Sequence, residues 1–188
     1  MNCTQNERIN QVSEQTLVIG VDIASELNYA RAFNWRGIEK GKVFKFFNNL
    51  EGFQAFNEWA HQVMSANKLT NLIVAAEPTG HYWFGLADYL KDEKLKLVLV
   101  NPFHVNRAKE LDDNHPSKTD AKDPKTIAKL VIEGRYMEPY IPEGVYADLR
   151  IMYNCRQKVT KAMISLENQL KRWFKIYFPE YLSVFGNL

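Results

Sequence analysis

The hydrophobic positions near the start of the chain follow the patterns of β-strands. Residues 16–23 (TLVIGVDI) form a short apolar run rich in β-branched side chains, which is typical of a buried strand. Residues 27–35 and 42–48 flank a turn that contains Gly37 and Gly41, and this arrangement predicts a hairpin. The sequence therefore predicts three antiparallel strands at the beginning of the fold.

The segments that follow alternate between helical and strand patterns. Apolar residues recur every three or four positions over residues 50–66, as in an amphipathic helix. The apolar runs 71–77 and 95–101 predict buried strands separated by a helix over 81–93, and another helix is predicted over 124–134. Strands that alternate with helices usually pair in parallel. We therefore expect an α/β fold with a mixed sheet and helices on both faces.

The most regular hydrophobic pattern lies near the end of the chain. Apolar residues alternate at spacings of three and four through about four heptads, and only Arg156 interrupts them. This seam comprises Leu149, Met152, Val159, Met163, Leu166, Leu170, Trp173 and Tyr177. Residues 143–178 are predicted to form a coiled-coil helix that joins two copies of the chain. The alternative is a helix that packs on its own domain.

Composition adds limits to this picture. The chain has 188 residues, of which 46% are hydrophobic and 24% charged, so it can bury a core and is not expected to be disordered. We expect a flexible tail over 1–15 and one domain over 16–140. No stretch approaches the roughly 18 apolar residues of a membrane span, and Cys3 and Cys155 lack metal-binding spacing. A cytoplasmic protein without membrane contact is expected, with Cys155 as a buried, inert thiol.

Positive charge is concentrated in the heptad region. Between residues 149 and 178 there are seven basic residues and one acid, Glu167, so that the segment carries a net charge of +6. Such a strip suits the phosphates of a nucleic acid, and Arg156, Lys158 and Lys161 are candidate contacts. The alternative is a solvated helix face.

Four carboxylates are the candidate chemical groups. Asp22 and Glu77 stand at the ends of predicted strands, and Asp120 and Asp123 lie three residues apart near a helix start. Adjacent carboxylates repel one another unless a cation neutralises them, and hard oxygen ligands select Mg²⁺ or Mn²⁺. Two such ions can activate a water molecule and stabilise the leaving oxygen of a phosphodiester. Each acid also has a structural explanation, such as a helix cap before Pro124 for Asp123.

Lysines are interleaved with the last two acids. Lys118, Lys122 and Lys125 could contact the phosphates of DNA or RNA, or could pair only with the neighbouring carboxylates. The chain contains no phosphate-binding glycine loop and no GxSxG segment, which excludes the commonest nucleotide sites and the serine hydrolase elbow.

Four short motifs, in order, resemble those of a known family. VIGVDIAS contains Asp22, AAEPTGHYW contains Glu77, VNPFHV follows the next strand, and KTDAKDPKTIAKL contains the last two acids. Over residues 16–135 the chain resembles the N-terminal part of the DEDD-type insertion-sequence transposases, family one-hundred-ten in that scheme, which are relatives of the Piv DNA invertases.

The resemblance implies a RuvC-like, ribonuclease H-like domain that binds Mg²⁺ or Mn²⁺ at Asp22, Glu77, Asp120 and Asp123, its catalytic residues. It also implies DNA recombination guided by a noncoding RNA. Family members continue into a domain with a serine nucleophile, so we expect this chain to be an N-terminal fragment that does not complete strand exchange alone. Pro124 stands where the family more often has a small residue, and it could delay the helix and turn Asp123 outward.

Other functions are compatible with the same residues. A RuvC-like nuclease or resolvase would use the same acids, and the ribonuclease H-like topology also serves ATP-binding proteins. A non-catalytic coiled-coil interaction module is a further alternative. The expected partners are DNA, a guide RNA, and a second copy of the chain bound through residues 149–177, as a dimer or a tetramer.

Overall fold

The structure is a computed structural model that describes residues 4–78, 80–112, 123–141 and 144–186. It divides into two compact units, Met1–Pro139 and Tyr140–Leu188. The first unit contains α1 (Gln5–Asn10), β1 (Thr16–Asp22), β2 (Leu27–Asn34), β3 (Phe44–Phe47), α2 (Leu50–Asn67), β4 (Asn71–Ala76), α3 (Trp83–Asp92), β5 (Lys96–Val100), α4 (Pro102–Asp112), α5 (Asp123–Ile132) and β6 (Tyr136–Met137). The second contains α6 (Val145–Tyr177) and α7 (Tyr181–Phe185).

The six strands form one mixed sheet in the order β3-β2-β1-β4-β5-β6. Strands β3, β2 and β1 are antiparallel, β4 and β5 add in parallel, and β6 pairs antiparallel with β5. The predicted meander with parallel additions is confirmed, and the arrangement is that of a ribonuclease H-like fold. The sequence analysis did not predict β6, since two residues are too few to show a strand pattern.

The two faces of the sheet bury different side chains because successive residues of a strand point in opposite directions. Val18, Ala75 and Val98 pack with Ile127 and Ala128 of α5 in one cluster. On the opposite face, the aromatic residues of β3 and α2 meet, and the rings of Phe46 and Phe56 lie 4.8 Å apart. The sheet is therefore covered on both faces, and α5 marks the face that concerns the candidate site.

Helix α1 lies in the segment that the sequence analysis assigned to a tail. Thr4 and Glu7 form a capping box at its start. The Gln5 side chain donates to the Glu133 carbonyl at 3.0 Å, and the Tyr136 hydroxyl donates to the Arg8 carbonyl at 3.2 Å. These bonds attach α1 to the chain around β6.

Helix α6 is 33 residues long, and none of its residues is buried. At its end the ring of Tyr181 stacks on that of Phe174, with centroids 4.0 Å apart, so α7 folds back on the last turn of α6. Among the helices that the structure describes, none is long and apolar enough to cross a membrane.

Candidate active site

Asp22 and Glu77 lie at neighbouring positions on adjacent parallel strands. The last residues in register are Val21 on β1 and Ala76 on β4, and the two acids follow them directly. Adjacent strands are about 4.8 Å apart, so the backbones that carry the two carboxylates are close. Both residues are half-buried. Because successive side chains of a strand point to opposite faces, both acids lie on the face of the sheet that α5 covers.

Helix α5 brings Asp123 to the same end of that face. A Cβ atom on Gly20 would lie 1.9 Å from the carbonyl oxygen of Pro124, which means that the start of α5 rests directly on β1. Asp123 is the first residue of this helix and is half-buried. The expectation that Pro124 delays the start of the helix is wrong, because proline fits the first turn of a helix, where its missing N–H has no helical acceptor.

The metal site is not complete in the part of the chain that the structure describes. No three His, Cys, Asp or Glu side chains among those residues are grouped so that they could hold a metal ion. Asp120, Lys118 and Lys122 lie outside the described residues. The structure thus places Asp22, Glu77 and Asp123 at one end of one face of the sheet, and it does not describe the fourth predicted acid, Asp120.

Two asparagines connect the loops that follow the strand-end acids. Asn48 donates from Nδ2 to the carbonyl of Ala24 at 3.1 Å and to that of Tyr82 at 3.2 Å. Asn28, which is fully buried, accepts from the Ala24 amide at 2.9 Å and donates to Asn48 at 3.4 Å. We call Asn28 and Asn48 the asparagine clamp. The clamp joins the segment that follows Asp22 to the segment that follows Glu77.

The sequence analysis missed the asparagine clamp. Asn28 occupies an inward position of β2, where a polar residue stands among buried apolar neighbours. A buried side-chain amide needs hydrogen-bond partners, so this position was the available signal. Asn48 lies in a loop and gave no comparable signal.

Cations flank the acids on the β2 side. Arg31 is the register partner of Gly20, and two of its nitrogens donate to the Glu39 carboxylate, each at 2.6 Å. The hydrogen bond from Arg31 holds the pKa of Glu39 below its usual range against the opposing effect of burial, and the charges of Arg31 and Lys125 lower it further. Lys125, an exposed residue of α5, is therefore electrostatically close to this pair.

The sequence profile of a transposase family, that of the DEDD transposases of IS110 insertion sequences, matches residues 19–179. The chain belongs to this family. Its function is accordingly that of a DNA transposase. No curated protein matches the sequence. The matched region includes all four predicted acids and the whole of α6.

In this transposase chain, the seam residues of α6 are exposed. Their exposed fractions lie between 51% for Leu170 and 70% for Tyr177. Cys155 is also exposed, so the expectation of a buried thiol is wrong. Because none of the 33 residues of this helix is buried among the described residues, α6 presents a long apolar surface.

The basic residues of α6 lie away from this seam. If Leu149 is assigned to heptad position a, six of the seven occupy positions b, c or f, the outer positions of a coiled coil: Arg150, Lys158, Lys161, Lys171, Arg172 and Lys175. Arg156 alone stands on the seam. Of the three predicted contacts, Lys158 and Lys161 share the outer side, and Arg156 lies on the opposite side of the helix.

Proposed function

We propose that this transposase chain carries the metal-dependent catalytic centre for DNA strand cleavage and exchange. The observation that supports the proposal is that Asp22 and Glu77 are neighbours on parallel strands, at the end of the sheet face where α5, the helix that begins at Asp123, starts. The donors are all carboxylates, and their hard oxygens suit Mg²⁺ or Mn²⁺. Asp120 is the fourth proposed ligand.

Each residue around this centre has a defined task in the proposal. Bound divalent ions at the four acids would activate the attacking oxygen and stabilise the leaving oxygen of a phosphodiester. The asparagine clamp holds the loop after Asp22 against the loop after Glu77. The close contact at Gly20 fixes the position of Asp123.

The lysines beside the last two acids hold the DNA in this proposal. Lys118, Lys122 and Lys125 contact phosphates, which fix position and carry no sequence information. Replacement of Lys125 by Gln is expected to reduce the slope of log affinity for duplex DNA against log salt by about one. Lys68, an exposed lysine at the end of α2, provides the control. An unchanged slope for Lys125→Gln would show that this lysine serves only its carboxylate neighbours.

Assembly through α6 completes the proposal. The seam over 149–177 pairs two copies of the chain, as a dimer or as half of a tetramer. When the seam is buried between two helices, the outer residues Lys158 and Lys161 remain available to the phosphates of a noncoding guide RNA. Arg156, which stands on the seam, would set the register of the two helices or contact the RNA at the edge of the paired region.

The experiment that tests the catalytic centre is a calorimetric titration of the chain with Mn²⁺, which gives the affinity for the ion. The substitution Asp22→Asn removes one charge and one ligand oxygen, so Mn²⁺ affinity is expected to fall by at least about tenfold, the low end for loss of a supporting group at a metal site. Asp88→Asn, at an exposed acid of α3, is the matched control and should leave affinity unchanged. Equal affinity in the two variants would refute the site.

A second measurement connects the metal to the reaction. Cleavage of a labelled DNA in the presence of Mg²⁺ and the guide RNA should be lost in both Asp22→Asn and Glu77→Gln, and retained in Asp88→Asn. If the chain cuts DNA equally well with Asp22→Asn, the acids have a structural role.

A further inference from the structure

A row of side chains continues the acid pair across the sheet to its edge. Asp22 on β1 is the register partner of Tyr29 on β2, and Tyr29 is the register partner of Lys45 on β3. Partners in neighbouring strands point to the same face, so all three residues share the face that carries α5. With two strand spacings of about 4.8 Å each, the backbone of Lys45 lies about 10 Å from that of Asp22.

The chemistry of this row changes from acid to base along its length. The Lys45 ammonium lies 5.1 Å from the centroid of the Tyr29 ring, within the range of a cation–π interaction. Lys45 is exposed and Tyr29 is half-buried, so part of the Tyr29 side chain is packed in the protein and part is accessible to solvent. A cation thus stands beside an aromatic ring, next to the site where phosphodiester chemistry is proposed.

Phe47 adds a second aromatic ring on the same face. It follows Lys45 by two positions on β3, so its side chain points the same way, and it is 62% exposed. Its backbone is held in place, because a Cβ atom on Gly52 of α2 would lie only 2.0 Å from the Phe47 carbonyl oxygen. A large apolar side chain on a rigid support therefore remains in contact with solvent.

A half-buried ring and an exposed ring beside a lysine match the needs of unpaired nucleotides. Bases of a single strand stack on aromatic side chains, and lysines follow the phosphates between them. A base within a duplex has no free face and cannot use such a platform. The carboxylates of Asp22 and Glu77 repel phosphates when no metal is bound, so a cationic anchor about two strands away would keep an approaching strand beside them.

We propose that Tyr29, Lys45 and Phe47 form a binding track for single-stranded nucleic acid that leads to the acid pair. Lys45 binds a phosphate, and the rings of Tyr29 and Phe47 stack on bases. The track rests on the proposed function because it leads to the same catalytic centre, and it assigns the strand-binding residues of that centre.

The test measures binding without metal, so that it does not depend on the catalytic ions. The full chain is titrated into a fluorescein-labelled oligothymidylate in EDTA, and fluorescence anisotropy gives the affinity at several salt concentrations. Lys45→Gln is expected to reduce the salt slope by about 0.7, the value for one phosphate contact on a single strand. Lys42→Gln removes the same charge from an exposed lysine outside β3, and its salt slope should equal that of the parent chain.

The ring variants test stacking separately. Tyr29→Leu and Phe47→Ser are each expected to weaken binding by about five- to 140-fold, the range for loss of one stacked base. Tyr29→Phe keeps the ring and should bind like the parent chain, which separates stacking from loss of the hydroxyl. Circular dichroism of each variant verifies the fold before binding is measured.

The results that would overturn the track are distinct from those that would overturn the catalytic centre. The track fails if the parent chain does not bind the oligonucleotide, if Lys45→Gln and Lys42→Gln give the same slope, or if Tyr29→Leu binds like Tyr29→Phe. It also fails if the ring variants weaken duplex binding as much as single-strand binding. The catalytic centre fails if Asp22→Asn retains Mn²⁺ affinity, whatever the oligonucleotide shows.

Discussion

Replacement of Gly20 by alanine tests how closely α5 must approach the sheet. The new Cβ atom would lie 1.9 Å from the Pro124 carbonyl oxygen and 3.1 Å from the Ala128 nitrogen. Real Cβ atoms do not approach other heavy atoms within 3.0 Å, so the start of α5 would have to retreat by about 1.1 Å. Both neighbours are backbone atoms, and no rotation of a side chain can relieve the clash.

The loss of stability follows from the contacts that a shift of α5 would break. Ile127 and Ala128 of α5 pack in one cluster with Val18 and Ala75 of the sheet, and a shifted helix leaves these contacts imperfect. Forcing extra volume into a packed core costs about 1–3 kcal/mol, and the lower entropy of an unfolded alanine recovers about 0.4–1 kcal/mol. Gly20 does not have a positive φ, so backbone strain adds nothing. We expect a net loss of about 1.3 kcal/mol.

Urea denaturation measures this loss. With a slope of about 2 kcal/mol per molar urea, the unfolding midpoint should fall by about 0.6 M. Since Asp123 begins the same helix, Mn²⁺ affinity should also fall. The matched control is Gly85→Ala in α3, where the new Cβ would meet the Phe53 ring at an ordinary 3.5 Å. That variant should be more stable than the parent by about 0.5–1 kcal/mol, because alanine is the better helix former.

The two variants make the same chemical change with opposite expected signs. If Gly20→Ala is as stable as Gly85→Ala, then the contact between α5 and β1 is not tight, and the positioning of Asp123 by this contact is refuted. A lower stability with unchanged Mn²⁺ affinity would keep the packing argument and remove its link to the metal.

Three further predictions concern other contacts. Glu39→Gln should cost about 1 kcal/mol at neutral pH. Because Arg31 holds the pKa of Glu39 below its ordinary value of 4.5, the difference in stability from the parent should shrink as pH falls below 4.5; a difference that stays constant would contradict this. Asn48→Ala should cost about 1–2 kcal/mol in urea denaturation, and Asn48→Asp, which cannot donate, should be no better; a stable aspartate variant would refute the clamp. Leu166→Glu should dissociate the α6 pair in sedimentation, whereas Asn168→Glu on the outer side should not.

The strands and the positions of two acids were predictable because burial leaves a direct mark on the sequence. A run such as TLVIGVDI is apolar throughout, since both sides of β1 are covered, and a carboxylate at its end is visible as an exception. The helices α2 and α5 also follow from the spacing of their apolar residues. These features depend on each segment alone.

The relations between segments were not predictable in the same way. The row that joins Asp22 to Tyr29 depends on strand register, and the clash at Gly20 depends on where α5 crosses β1. Helix α1 has no buried residue, so it lacks the apolar stripe that predicts a helix, and its capping box was the only local signal. Such features depend on partners that are distant in the chain.

The attachment of α1 has a consequence for the order in which the first unit folds. The bonds from Gln5 to Glu133 and from Tyr136 to Arg8 each join residues that are 128 positions apart. Contacts of such long range form late, because the loop between them must first be ordered. During synthesis, residues 5–10 leave the ribosome long before their hydrogen-bond partners Glu133 and Tyr136 exist, so the first unit can close only when almost all of it has been made. Helix α6, whose backbone bonds are local, can form as soon as it emerges.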